Sequence, residues 1–407
     1  MDIRPIISTL SRHKTAAALI VMEIALTCAI ICNAVFLIGQ RLERMHRPTG
    51  LAESEVVRVN ITGIGEDENA DELVRRDVAA LRAIPGVISV SSTNHLPFDN
   101  SSWNSSISLA PDQPMPNLSS SVYLGENLIR TFGLNLVEGR DFTADEYVDW
   151  EALNKPNSNL RIPAAIITRE VAQKLFPGES AIGRNIYAWN QDDSPHRVVG
   201  VVERLVRPND NGGPTQSYYS ILLPVSNVTM GRFALRTTPE RRDEVTKAAV
   251  AALERTSAAR IILRQGSFTE VMETYYRQDR SMAWLLVAVI VALLVVTALG
   301  IVGLASFWVQ QRTRQIGVRR ALGATRGQVL RYFQTENFLL ATVGIVIGMI
   351  GAYGINQLLM STYELPRLPA WYLPLGAVAL WLLGQVAVFG PARRAAAVPP
   401  AVATRSA

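Results

Sequence analysis

Apolar positions gather into four long blocks, separated by one very long mixed stretch and one short basic one. The blocks are Ala16–Ile38, Met282–Val309, Phe338–Met360 and Trp371–Phe389, the last the shortest. A helix needs roughly 20 apolar residues to cross a bilayer, so each is a candidate span. The first block is long and no small-residue cleavage site stands cleanly behind it, so it reads as an anchor continued by a charged helix through Arg47. Between the second and third blocks, Gln310 to Gln334 carries Arg312, Arg314, Arg319, Arg320, Arg326 and Arg331 and no acidic residue. Its apolar positions Ile316, Val318, Leu322, Val329 and Leu330 predict a helix, a glycine-containing bend near Gly323 to Gly327, and a second helical start.

The stretch from Glu55 to Arg280 shows shorter periods. Glu55–Ile61 alternates as a strand does, Ala70–Ala83 reads as a polar helix, and PGVISVSS follows at 85–92. Asp99–Leu118 is rich in Ser, Asn and Pro and predicts a loop, Asn127–Phe132 a helical piece, Leu136–Phe142 a turn, and Asp149–Leu160 a polar insertion. Strands are expected at 164–168, Arg197–Val202, Tyr218–Pro224, Arg232–Thr237 and Ala259–Leu263, and helices at 169–176, Arg241–Arg255 and Phe268–Arg280. Roughly seven short strands with helices between them make an α+β domain. The fold class is thus a membrane protein, four transmembrane helices with a large α+β extracytoplasmic domain inserted between the first and second.

Charge sets the orientation. The net charge of +5 is small, but positive residues cluster at Arg4, Arg12 and Lys14, in the 310–335 segment, and at Arg393, Arg394 and Arg405. Four spans put all three clusters on one side, the cytoplasmic one. The expected organisation is a cytoplasmic amphipathic helix at 1–15, span one and its stalk at 16–47, the external domain at 48–267, and a second stalk and span at 268–309. A cytoplasmic segment follows at 310–335, then span three at 336–360, an external link at 361–370, span four at 371–390, and a tail at 391–407 whose Pro391 and arginines mark the exit.

Candidate chemistry is sparse. GESAIGRN at 178–185 has phosphate-loop glycine spacing, but Arg184 and Asn185 stand where lysine and Ser or Thr belong, and it precedes a strand. His13, His46, His95 and His196 lack metal-ligand spacing, and Asp192 with Asp193, or Glu66 to Glu68, lack the alternating oxygens of a calcium loop. No nucleophile sits in a recognisable elbow, so no enzyme and no catalytic residue are expected. No basic stripe interleaved with aromatics suggests nucleic acid. Cys28 and Cys32 share a helix face inside span one and read as small apolar residues at a helix contact. Glu23, in the same span, suits either subunit packing and conformational coupling or a locally neutralised carboxyl. Gly344 and Gly348 permit close helix approach, within the chain or between subunits.

One stretch carries a resemblance. QRTRQIGVRRALGATRGQVLRYFQTENFLL at 311–340 resembles the pattern Arg-x-x-Glu-Ile-Gly-x-x-Arg-Ala-x-Gly-Ala of ATP-binding cassette transporter permeases of the MacB and FtsX type, with a Glu on the following helix. Arg312, Ile316, Gly317, Arg320, Ala321, Gly323, Ala324 and Glu336 fall on the pattern, Arg314 and Arg319 add charge, and Gln315 replaces a common acidic residue. PGVISV (85–90), FGLNLVEGRDF (132–142), LFPGESAIGR (175–184) and RVVGVV (197–202) resemble the periplasmic core domain of MacB-like permeases. The ending FGPARRAAAVPPAVATR is similar to the family's, without its usual Asp before the proline. The resemblance implies a non-catalytic inner-membrane subunit working with a cytoplasmic ATPase dimer that binds ATP and Mg, and with a second permease copy or a homologous permease. It also allows a periplasmic adaptor. Arg312 to Ala324 would contain the coupling helix, and ATPase closure would move stalks and external domains by mechanotransmission. A transporter of an antibiotic, peptide, lipid or lipoprotein leads. An FtsX-like regulator of a periplasmic partner, or a membrane-anchored binding module, are the alternatives.

Overall fold

The computed structural model describes residues 14–63, 69–99, 101, 103–156, 158–188, 194–209, 216–257, 260–363 and 367–398. The expected helix at 1–15, apart from its last two residues, lies outside these, as do Glu66 to Glu68, Asp192, Asp193, Arg405 and part of the 361–370 link. The chain divides into two units, residues 1–46 with 278–407, and residues 47–277.

Helices in chain order are α1 Lys14–Met45, α2 Ala70–Arg82, α3 Leu128–Phe132, α4 Trp150–Asn154, α5 Arg169–Leu175, α6 Arg242–Thr256, α7 Phe268–Tyr275, α8 Arg277–Gln311, α9 Thr313–Ala321, α10 Arg326–Tyr363 and α11 Tyr372–Ala397. Strands are β1 Val56–Gly63, β2 Ser89–Ser92, β3 Asn104–Ile107, β4 Leu118–Leu124, β5 Leu136–Gly139, β6 Val148–Asp149, β7 Ala164–Thr168, β8 Asn185–Ile186, β9 His196–Val202, β10 Ser220–Leu223, β11 Val225–Ser226, β12 Arg232–Arg236 and β13 Arg260–Ser267.

Residues 47–277 hold two sheets and a small parallel pair of β6 and β11. The first sheet, ordered β13-β1-β12-β2, is antiparallel. Its alternating strands bury Val57, Val59, Val90, Phe233 and Leu235 against Val74 and Leu81 of α2 and Val245, Ala249 and Leu253 of α6. The second sheet, β3-β4-β10-β7-β9-β5 with β8 beside β9, is mixed and closes over a separate core that includes Val122, Ile167, Val201 and Ile221. The Ser/Asn-rich stretch expected to be loop contains β3, whose Asn104 to Ile107 pair with Leu118 to Ser121. Ladder bonds use backbone groups, so an edge strand needs no apolar side chains. Leu136–Gly139 pairs with β9 and is strand, not turn. The polar insertion contains α4, capped by Asp149 accepting from the Ala152 amide at 3.0 Å. The helix expected at 268–280 is interrupted at Tyr276, whose ring packs 5.2 Å from that of Phe98.

The other unit contains four helices long and apolar enough to span a membrane, α1, α8, α10 and α11. The external domain lies between the first and second of them. Helix α10 packs closely on α1 because its glycines leave no side chain in the way. A Cβ at Gly344 would lie 2.9 Å from Cβ of Ile24, and one at Gly348 would lie 2.6 Å from Cβ of Cys28. Cys28 and Cys32 are buried and unbridged in this contact. Helix α11 continues through Pro391 to Ala397. A membrane helix tolerates the lost amide donor where neighbours pack around the ring, and Pro391 is buried. At the other end, Asp279 of α8 accepts from Arg41 at 2.5 Å and lies 3.6 Å from Arg44, tying α8 to α1.

Candidate cytoplasmic coupling site

Helix α8 stops at Gln311, and Arg312 makes the corner into α9. Helical bonds still cross this joint, from the Arg312 amide to the Trp308 carbonyl at 3.1 Å and from the Ile316 amide to the Arg312 carbonyl at 2.9 Å, and a distant partner meets it from the side. Arg312 Nη1 donates to both carboxylate oxygens of Glu336 on α10, at 3.0 and 2.9 Å. The two residues are 7% and 1% exposed. The Arg312 guanidinium also lies 5.5 Å from the Trp308 ring. Ile316 and Gly317, one turn on, face inward, and Ile316 joins Val329 and Phe333 of α10 and Ala392, Ala395 and Ala396 of α11 in a small core. The end of α11 therefore supports the segment. Arg320 adds a bond to the Val398 carbonyl at 2.5 Å.

The bend between α9 and α10 is built by local rules. Gly323 takes φ +97°, open to glycine and costly for other residues. The amides of Gly323 and Ala324 return to the carbonyls of Arg320 and Arg319, each at 3.1 Å. Thr325 and Gln328 then cap α10 reciprocally: the Gln328 amide donates to Thr325 Oγ1 at 3.3 Å, and the Thr325 amide to Gln328 Oε1 at 2.9 Å.

The expected coupling residues thus divide. Arg312, Ile316, Gly317 and Arg320 face the supporting helices, and Arg319 stacks on Tyr332 of α10 at 5.1 Å. Arg314, Ala321 and Gly323 are exposed, together with Val318 at 45% and Leu322 at 83%. Ala324 sits in the bend. Sequence reasoning did not single out Trp308, Tyr332, Phe333 and the alanines of α11. Aromatic spacing at span ends was the available signal for the first three. Elsewhere, Glu23 lies against Gly300 of α8, where a Cβ would come within 2.5 Å of its carboxylate oxygens. Nearby, the hydroxyls of Thr27 and Thr297 are 2.9 Å apart. Glu23, Gly344 and Gly348 each have close neighbours within this chain.

The external histidines are committed to structure. His196 bonds through its ring nitrogens to the Ile162 and Ala188 carbonyls at 2.7 and 2.9 Å. Burial pushes the His95 pKa down to about 3, and its Nδ1 meets Ser101 Oγ at 2.8 Å. Among the described residues no three His, Cys, Asp or Glu side chains gather closely enough to hold a metal.

Residues 24–260 match the family described as the MacB-like periplasmic core domain, and residues 287–400 the FtsX-like permease C-terminal region. The chain belongs to the MacB/FtsX family of permeases. As a member it is a multi-pass inner-membrane protein whose large domain is periplasmic. It is 27% identical over 69% of its length to the macrolide export ATP-binding/permease protein MacB of Chromobacterium violaceum. It is 30% identical over 68% of its length to MacB of Agrobacterium fabrum. Each match covers 42% of the relative, so this permease chain spans less than half of those proteins. The ABC transporter permease YknZ of Bacillus subtilis is 24% identical over 69% of this chain and 68% of its own length.

Proposed function

We propose that this permease couples a separate cytoplasmic ATPase dimer to movement of its periplasmic domain, with α9 as the docking element. The observation that supports this most is the two-sided construction of α9. Its inner face is fixed to α10 and α11 by a buried ion pair and a small core, while Arg314, Val318 and Leu322 stand open to a partner. Full burial of a Val or Leu side chain contributes about 1.5–3 kcal/mol, enough for these two to anchor a docking surface. A push on α9 passes through the Arg312 corner to α8 and α10. The Asp279 pair with Arg41 makes α1 follow α8, and both helices lead by chain into the periplasmic domain.

In this reading the chain binds no cofactor, and ATP and Mg belong to the partner. A second permease copy, identical or homologous, completes the transporter, and a periplasmic adaptor is a further partner. Export or extraction of an antibiotic, peptide, lipid or lipoprotein fits the macrolide export named for the relatives. The test is purification of the tagged chain in mild detergent, with an ATPase assay of the eluate. A cassette ATPase should accompany the wild type and be lost from Val318→Glu with Leu322→Glu. Recovery of the ATPase at wild-type level with the double variant would place docking elsewhere.

A further inference from the structure

The inner side of the α9–α10 elbow borders an open-sided cavity of about 300 Å³, at the small end of ligand-site volumes. Ile316, Val329 and Phe333 give it an apolar floor, and Arg312 and Arg319 give it a basic side. Among the described residues that line it there is no carboxylate. Arg312 is 7% exposed and bonds Glu336 through Nη1 alone; its Nη2 is buried with no hydrogen-bond partner. A guanidinium donor buried and unpaired is costly; Nη2 is closed off behind the cavity wall, so an anionic oxygen in the cavity relieves it only when the Arg312 head turns outward from its pair with Glu336.

Depth argues for the source of that oxygen. Trp308 under Arg312 and Tyr332 under Arg319 are aromatic side chains at the cytoplasmic ends of two spans, where such rings settle at headgroup level. Basic pockets between transmembrane helices on this side of a membrane take anionic headgroups. A small soluble anion would satisfy the arginines but leave the apolar floor unexplained, whereas a lipid brings phosphate and acyl carbons together. The cavity is also separate from the proposed ATPase face. Arg312, Ile316 and Arg319 share one side of α9 at helical spacing, while Arg314 and Val318 fall on another.

We infer that this cavity is a binding site for one anionic phospholipid of the inner leaflet, its phosphate between Arg312 and Arg319 and its glycerol-proximal carbons on Ile316, Val329 and Phe333. The bound lipid wedges the elbow and sets the angle between α9 and α10. The site depends on the membrane topology and not on the ATPase reading, so the two stand or fall separately.

The test is native mass spectrometry of the purified full chain in detergent, titrated with phosphatidylglycerol or phosphatidylcholine. Two variants alter lining residues and keep the Arg312–Glu336 pair: Arg319→Ala removes one charge, and Gln315→Trp fills the space from an exposed position. One phosphatidylglycerol should be retained in preference to phosphatidylcholine, with affinity about tenfold weaker in Arg319→Ala, as expected for one charge-assisted hydrogen bond. It should be absent from Gln315→Trp, whose unchanged melting temperature would show that it is folded. Millimolar inorganic phosphate should not displace the lipid. Equal retention of both lipids, or wild-type retention by both variants, would overturn the site. Displacement by inorganic phosphate would make it a simple anion site and overturn the lipid. Loss of a co-purified ATPase from Arg319→Ala with lipid retention unchanged would make the cavity a protein socket, and equally overturn it.

Discussion

Replacing Glu336 by Gln keeps the shape of the side chain and removes the charge that holds the α8–α9 corner. In the native chain the carboxylate accepts two bonds from Arg312 at 3.0 and 2.9 Å, with both residues almost fully enclosed. Breaking such a pair leaves a buried cation and costs about 3–5 kcal/mol. The Trp308 ring remains under the guanidinium and offsets about 0.5–2 kcal/mol of that. A net loss near 3 kcal/mol makes local opening of the elbow about a hundredfold more frequent. Amide hydrogen exchange of residues 313–321 in the purified permease reads this directly. Protection should fall by about that factor in Glu336→Gln, with the periplasmic strands unchanged. Arg312→Met with Glu336→Leu, which removes both charges, should recover most of the protection. Unchanged exchange in Glu336→Gln, or a double variant worse than the single, would refute the role given to the pair.

Three further outcomes follow from other contacts. Gly348→Val should separate α10 from α1, because its Cβ would meet the Ala25 carbonyl oxygen and Cys28 at 2.6 Å; Cys28 should then become reactive to a membrane-permeant maleimide that leaves the native thiol untouched. Asp77→Asn leaves Arg260 buried without its carboxylate partner and should lower the stability of the periplasmic domain to denaturant by about 3–5 kcal/mol. His95 gives a pH dependence. Its folded pKa is about 3 against an ordinary 6.5, so between these values the unfolded chain binds a proton that the folded one does not. Stability is complete above 6.5 and falls as pH drops toward 3, by up to about 1.4 kcal/mol per unit. A denaturation profile from pH 7 to 4 should flatten over this window in His95→Gln, and an unflattened profile would assign the loss to other groups.

The amphipathic period of α9, the glycine at its bend and the length of the apolar blocks are local signals, and each was readable from residues within a few turns. Arg312 and Glu336 were both readable as positions on one family pattern, but neither their pairing nor its burial was. The supports from Ala392, Ala395 and Ala396 were hidden for a different reason. Pro391 reads as a helix end in water, whereas between packed membrane helices the missing donor is tolerated and the helix continues past it. Strand β3 escaped notice because its Ser and Asn side chains carry no apolar alternation, and only the ladder to β4 makes it a strand. Charge pairs such as Arg41 with Asp279 and Asp77 with Arg260 join residues far apart in sequence, and no periodicity announces them.

The central claim is that ATP use by a partner reaches the periplasmic domain through α9. A spin label at Leu109→Cys, an exposed position, in a chain whose native Cys28 and Cys32 are buried, reports distance between the periplasmic domains of two copies by pulsed electron resonance. In the complex with its ATPase, that distance should shift when ATP replaces ADP and stay fixed in Val318→Glu with Leu322→Glu. An unchanged distance during full ATP hydrolysis would contradict the coupling.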